Sequence, residues 1–385
     1  MARTRSELPR VKVLIAHARY AIPGGEEAVI DAQEAALAAL GVSVARYELD
    51  NTGLTRARTA GQSLWSRQAA RDIGAVIDRD RPDVLHVHNN FQQLSPSIYG
   101  AAASRGVKVV QHLHNARLAC INVFFERDGS ACTDCVGKAI TWPGVAHNCY
   151  RDSRADSIAA TVVQLGHRAI RAHRHVDAFV AVSCALADAL SLPNTLVCHN
   201  GIADAAVTRR DHGYALFVGR VWAQKGLQVL LDAAASVPEM PVRIVGDGPD
   251  LARFTDQAGR RGLRHVSFLG RLDRDALRHE LAGARVSVTP SIGLDPLPTT
   301  VIEALAAGVP TIGSGAGGIP EIVGDTGVLV APGDPIALAA ALRDAHANAE
   351  RFAELGAAAR RRYEQRFTLE AFGHRLAAIY SAIRG

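Results

Sequence analysis

The 385-residue sequence predicts an α/β protein of two doubly wound, Rossmann-like parallel-sheet domains, and three observations carry that expectation. The chain is too long for one hydrophobic core, so two domains of roughly 150–200 residues are the natural division. Short β-branched runs (VKVLIAH, DVLHVHN, VKVVQHLHN, AFVAVS, TLVCHNG) alternate with Ala-rich amphipathic stretches such as EEAVIDAQEAALAALG. Strands separated by helical segments argue for parallel sheets with crossover helices. The alternation then restarts at Tyr214 with ALFVGR and continues through VRIVGDG, HVSFLG, RVSVTPS, PTIGSG and GVLVAP. The polar stretch Ala203 to Gly213 before the restart reads as a linker. The expected domains are residues 1–205 and 206–365, with a C-terminal helix over 366–385 packing back on the first. Ligands of such sheets bind at the carboxyl ends of the strands.

Composition excludes several classes. Nearly half the residues are apolar, 48%, and mean hydropathy is +0.05, which fits a globular chain. No apolar run reaches the roughly 18–20 residues that span a bilayer. The N-terminus MARTRSELPR is polar and lacks a small-residue cleavage site, so a cytoplasmic protein without a signal peptide is expected. The formal charge of +5 is spread evenly, with no basic stripe of the kind nucleic-acid binders show. Lysine occurs only at Lys12, Lys108, Lys138 and Lys225, which makes a lysine in a special place stand out.

Lys225 is in such a place. After the strand ALFVGR come Val221, Trp222, Ala223, Gln224, Lys225 and Gly226, then a helix beginning LQVLLDAAA. An arginine at a strand end, Arg220, and a lysine just before a helix put two cations near a helix N-terminus, a fitting pocket for a diphosphate. A solvent-facing pair on a βα loop is the ordinary alternative. Farther on, SIGLDPLPTTVIEALAAGVPTIGSGAGGIPEIVGDTGVLVAPGD sets Asp295 and Glu303 on either side of a helix start, followed by a Gly-rich turn and Glu321.

That stretch resembles the donor-binding half of the family 4 retaining glycosyltransferases, the group 1 glycosyltransferases of GT-B fold. Their hallmark is an acidic residue, seven intervening residues, then glutamate, an Ala-rich helix, a glycine and a proline. FVGRVWAQKG, VGDGP, FLGRL and GGIPE occur in the family's order, with IPGGEE after the first strand and HNGI near the linker. The resemblance runs from about Val11 to the C-terminus. It implies a nucleotide-sugar donor, a hydroxyl acceptor, no cofactor, no metal ligands and retention of anomeric configuration. By the same resemblance, Arg220 and Lys225 grip the diphosphate and offset charge on the leaving phosphate. Glu303 accepts hydrogen bonds from ribose hydroxyls, and Asp295 touches hydroxyls of the transferred sugar. Gly24 and Gly25 let backbone approach the donor phosphates, the alternative for this pair being a tight turn. Gly219 and the Thr299 and Thr300 amides join the donor site, while Arg271 and Leu272 line the base pocket. His114, ending VKVVQHLHN, matches a histidine at the family's reaction centre; alone it could be a satisfied strand-end histidine.

The sequence departs from the family at two points. The first acidic residue is usually glutamate and here is Asp295, one methylene shorter. The usual Phe-Gly after it is Leu297-Pro298, and proline removes one backbone donor. Both changes bear on the identity of the sugar.

Cys120, Cys132, Cys135 and Cys149 lie within thirty residues, and the Cys132–Cys135 spacing is compatible with a structural zinc site, against packed thiols. Cys184 and Cys198 read as small core residues. The loop Arg117 to Arg154 falls where acceptor contacts are expected. The basic stretch Gly166–His175 and Trp142-Pro143 leave a peripheral membrane contact open beside a solvated helix face. The donor is expected to be a uridine diphosphate sugar and the acceptor a polysaccharide or lipid-linked glycan, with a small metabolite or natural-product aglycone second. A sugar-nucleotide epimerase, a phosphorylase and an inactive sugar-nucleotide-binding subunit are the competing classes. A phosphorylase would need a second-domain lysine for its pyridoxal phosphate, where Lys225 alone is on offer.

Overall fold

The computed structural model describes residues 11–19, 24–51, 61–91 and 93–384; the polar N-terminal decapeptide and the tip of IPGGEE lie outside them. The chain divides into two compact units. One contains residues up to Val123, Asp134–Gly201 and Leu369 onward, and the other contains Phe124–Thr133 and Ile202–Thr368.

The first unit is built on six parallel strands, β1 (Lys12–Arg19), β2 (Ser43–Asp50), β3 (Val84–Val87), β4 (Lys108–Leu113), β7 (Ala178–Ala181) and β8 (Thr195–Val197). Glu126–Arg127 (β5) and Ser130–Ala131 (β6) form a small antiparallel hairpin that belongs to the second unit. The large sheet runs β2-β1-β3-β4-β7-β8, so the winding reverses between β1 and β3. All four residues of β3 are buried, as are the six central ones of β1, because helices cover both faces of a parallel sheet. Serine side chains start three of its helices: Ser66, Ser153 and Ser183 accept from the backbone N–H of Ala69, Asp156 and Leu186. The last helix, Leu369–Arg384, packs on Gly25–Ala39, where the Gln33 amide donates to Tyr380 Oη at 3.0 Å.

The second unit contains β9 (Tyr214–Val218), β10 (Val242–Val245), β11 (Val266–Gly270), β12 (Ala284–Thr289), β13 (Thr311–Ser314) and β14 (Val328–Val330). Their order is β11-β10-β9-β12-β13-β14, all parallel, which is the dinucleotide-fold order with its switch point between β9 and β12. Phe217, Leu230, Ile244, Phe254, Val286 and Ile312 form the centre of its core. The polar stretch before β9 is pinned to this unit: Arg209 donates to the carbonyls of Gly308 and Ala284, and the Arg210 and His212 amides to those of Ala282 and Gly283. Among the described residues no helix is long and apolar enough to cross a membrane.

Candidate active site

The reversal between β9 and β12 brings two loops together. Strand β9 ends at Val218, and Gly219 donates its N–H to the Val245 carbonyl before the chain turns out at exposed Arg220. The Arg220 guanidinium lies 5.0 Å from the ring centroid of Trp222, which packs T-shaped with Phe124 of the excursion Phe124–Thr133. The loop then closes. Asp250 accepts from the Ala223 N–H at 2.8 Å, the Lys225 N–H donates to Trp222, and Gly226 adopts φ +75° before the helix Leu227–Ala234. Only glycine fits at 226. A Cβ there would stand 1.8 Å from the Pro290 carbonyl oxygen at the end of β12.

Past β12 the chain returns to the same place. The Ile292 N–H donates to the Gln224 carbonyl, and Asp295 meets Lys225 with Nζ 2.5 Å from Oδ2. Ser291 Oγ donates to the same carboxylate oxygen at 3.1 Å. The Gly-rich turn predicted from the sequence lies against this backbone: Gly318 donates to the Asp295 carbonyl, and a Cβ on Gly317 (φ +60°) would sit 2.2 Å from that oxygen. Lys225 and Asp295, seventy residues apart, are thus one ion pair at the switch point.

The helix Thr299–Ala306 starts just beyond. Pro298 caps it without a side-chain bond, and the Thr299 and Thr300 amides take no backbone partner among the described residues. An N-terminus with open N–H groups is a ready anion site. Glu303 lies half-buried on this helix, and burial pushes its carboxyl up to about 7 against the opposing pull of Arg274. Leu272 packs into the apolar cluster around Leu216 and Val245, whereas Arg271 is exposed.

The remaining candidates lie in the first unit. Gly24 caps the helix Gly25–Ala39, and the Glu27 carboxylate accepts its N–H at 2.7 Å. Among the described residues a Cβ on Gly24 would meet only Glu27 Oε2, at 3.9 Å, and its φ of −136° is open to any residue.

His114 follows β4 and is one of a set. The alternation in DVLHVHN and QHLHN turns His86, His88, His112 and His114 to one face of adjacent strands, with buried His17 of β1 edge-on to His88. His88 Nδ1 and His114 Nε2 share a hydrogen bond of 2.7 Å, and His86 Nε2 and His112 Nδ1 one of 3.0 Å. Tyr380 Oη engages the other nitrogen of His86 at 2.7 Å. Burial, aided by the neighbouring imidazoles, pushes His86 down to about 3 and holds His88, His112 and His114 well below the usual histidine range. His114 is therefore a neutral ring held by His88, suited to hydrogen bonding and not to carrying charge. Sequence reasoning missed its companions, although the i, i+2 spacing of histidines in two successive strands was the signal that could have found them.

Among the described residues, His86, His88 and His112 offer nitrogens within 4.8 Å of one another as a metal-ligand group, and the four clustered cysteines do not form one. Both ring nitrogens of His86 already share hydrogen bonds with neighbours.

Residues 203–362 match the model of the family described as glycosyl transferases group 1. D-rhamnosyltransferase WbpZ of Pseudomonas aeruginosa is 36% identical over 159 residues, 40% of this chain and 42% of that protein. Glycogen synthase of Mycobacterium tuberculosis is 34% identical over 236 residues, 55% of each chain. The chain thus spans about half the length of these curated relatives. Two solved structures share the fold over nearly the whole chain. Anabaena HepE in complex with UDP has a TM-score of 0.68 at 18% identity, covering 96% of this chain and 100% of that one. Sucrose-phosphate synthase of Thermosynechococcus elongatus has a TM-score of 0.71 at 17% identity, covering 97% and 99%. The chain has the GT-B fold, and residues 203–362, with Arg220, Lys225, Asp295 and Glu303 among them, are similar to the group 1 glycosyl transferases.

Proposed function

We propose that the chain is a retaining glycosyltransferase that moves a sugar from a nucleoside diphosphate sugar, preferably a UDP-sugar, to a hydroxyl of a growing polysaccharide or glycolipid. The observation that supports this best is the Lys225–Asp295 pair at the β9/β12 switch point, beside exposed Arg220 and the open amides of Thr299 and Thr300. A diphosphate arriving there meets two fixed cations and a helix N-terminus, and the same groups offset the charge that grows on the leaving phosphate. Asp295, released from Lys225 as the phosphate takes its place, is free to accept from sugar hydroxyls. Glu303 takes the ribose, and Arg271 and Leu272 border the base. His114 enters as a neutral hydrogen-bond partner of the donor sugar.

No carboxylate or histidine in this set is free to act as the general base that an inverting displacement needs. Retention with the leaving phosphate taking the acceptor proton follows, and with Arg220 and Lys225 offsetting charge no metal is required. The names of similar proteins support the nucleotide-sugar donor and the glycan or lipid acceptor. The HepE structure holds UDP, and the relatives include a D-rhamnosyltransferase and the phosphatidyl-myo-inositol mannosyltransferase of Mycobacterium leprae, 38% identical over 160 residues.

Calorimetric titration with UDP at several pH values tests the assignment. Ribose hydroxyls donate best to a carboxylate, and the Glu303 carboxyl ionises only as pH rises through about 7. UDP affinity should therefore strengthen about tenfold from pH 6 to pH 8, as the ionised fraction grows from about a tenth to about nine-tenths. Glu303→Gln should weaken binding and lose that increment while keeping the fold. If wild type and Glu303→Gln follow the same pH curve, Glu303 does not hold the ribose.

A further inference from the structure

The helix Arg154–Ala169 of the first unit is amphipathic the wrong way round. Three of its polar residues face the protein. Ser157 Oγ accepts from the Tyr150 N–H at 3.0 Å, Thr161 Oγ1 lies 3.0 Å from Thr141 Oγ1, and Gln164 takes a hydrogen bond from Thr141 and donates to the Arg117 carbonyl. Of its larger apolar residues Val163 is buried, whereas Ile158, Val162 and Leu165, spaced as one stripe, are 47%, 56% and 42% exposed. A helix packed on a globular domain normally shows the reverse.

The flank extends the stripe. Arg168 donates to the Lys138 and Ala139 carbonyls, and Thr141 is tied to Thr161 and Gln164, which sets exposed Ile140 and Trp142 alongside. Trp142 is 60% exposed at the start of its own short helix. Around this apolar face stand exposed Lys138, Arg151, Arg154, Arg171 and Arg174. Residues 134–175 contain six lysines and arginines against three acids, Asp134, Asp152 and Asp156.

We propose that this face docks on the surface of an anionic lipid bilayer, with Ile158, Val162, Leu165 and Trp142 entering the headgroup boundary and the arginines meeting lipid phosphates. An outward apolar stripe, an exposed tryptophan and a basic rim are what an interfacial element needs. Charge decides against a second copy of the chain as the occupant. Across a twofold axis the same basic rim would face itself, and three acids among six cations do not neutralise it. The proposal stands on the exposed face alone and is independent of the transfer reaction, so either can fail without the other.

Cosedimentation with vesicles tests it. The full chain should pellet with phosphatidylglycerol–phosphatidylcholine vesicles, bind pure phosphatidylcholine at least about tenfold more weakly, and lose much of the difference in about 0.5 M salt as the charges are screened. Ile158→Ser/Val162→Ser/Leu165→Ser should abolish pelleting, and Arg151→Ala/Arg154→Ala/Arg171→Ala should erase the lipid preference. Both variants should keep the wild-type circular-dichroism melt, since every replaced side chain is exposed. Wild-type protein that stays in the supernatant with anionic vesicles overturns the proposal, as does a triple-serine variant that pellets like wild type. A dimer seen by light scattering that the serine substitutions dissociate, without vesicle binding, assigns the face to self-association instead.

Discussion

Lys225→Ala should cut turnover at least a hundredfold, and Arg220→Ala by a similar factor. On the proposed function, each removes a preorganised cation from the place where the leaving phosphate gains charge, a contact worth about 3 kcal/mol in the transition state. Lys225 should be the more damaging of the two. Its loss also leaves the largely buried Asp295 carboxylate with Ser291 Oγ as its remaining hydrogen-bond partner, a negative group facing the incoming diphosphate. Among the described residues Arg220 is held only by its contact with the Trp222 ring and has no such second effect. Nucleotide release from a UDP-sugar in the presence of acceptor measures both. Near-wild-type rates in both variants would remove the diphosphate from this loop.

Gly226→Ala should unfold the second unit's site from within. The residue needs a left-handed φ of +75°, which costs alanine about 1–2 kcal/mol, and its Cβ would overlap the Pro290 carbonyl. That carbonyl is main chain one residue past β12 and cannot swing aside as a side chain would. The loop carrying Lys225 must then move away from the one carrying Asp295. A loss of at least about 3 kcal/mol is expected, lowering the melting temperature of a unit of this size by roughly 6–12 °C. Scanning calorimetry checks the shift. An unchanged melt would mean that the two loops are not packed as described.

The two doubly wound sheets could be read from the sequence because buried parallel strands are continuous β-branched runs and each restart is punctuated by glycine. The chain positions around Arg220, Lys225 and Thr299 were legible for a related reason. Strand end, tight turn and helix start are local events, written in a few consecutive residues. Contacts across seventy residues are not local, and the Lys225–Asp295 pair was hidden until β9 and β12 were known to be neighbours. The histidine array was hidden similarly. The spacing within β3 and within β4 was visible, yet which imidazole meets which depends on their parallel register, His86 opposite Val110. The excursion Phe124–Thr133 gave no signal, since a loop's packing on a distant element leaves no periodicity. Trp142 was noticed in the sequence, whereas the outward stripe of Ile158, Val162 and Leu165 was not, because a helical period states that a face is apolar and not which way it points.

The central claim is transfer with retention, and the anomeric centre of the product tests it most directly. With EDTA-treated protein, a gluco-configured α-linked UDP-sugar and a hydroxyl acceptor, proton NMR should show the small H1–H2 coupling of an α-linked product formed at an undiminished rate. The prediction follows from the second unit's inventory. In the proposed roles, Arg220 and Lys225 are cations, Asp295 and Glu303 accept from hydroxyl groups, and neither carboxylate is left as a base on the far side of the sugar. A β-linked product would contradict the mechanism, and loss of activity in EDTA would contradict charge neutralisation by Arg220 and Lys225 alone.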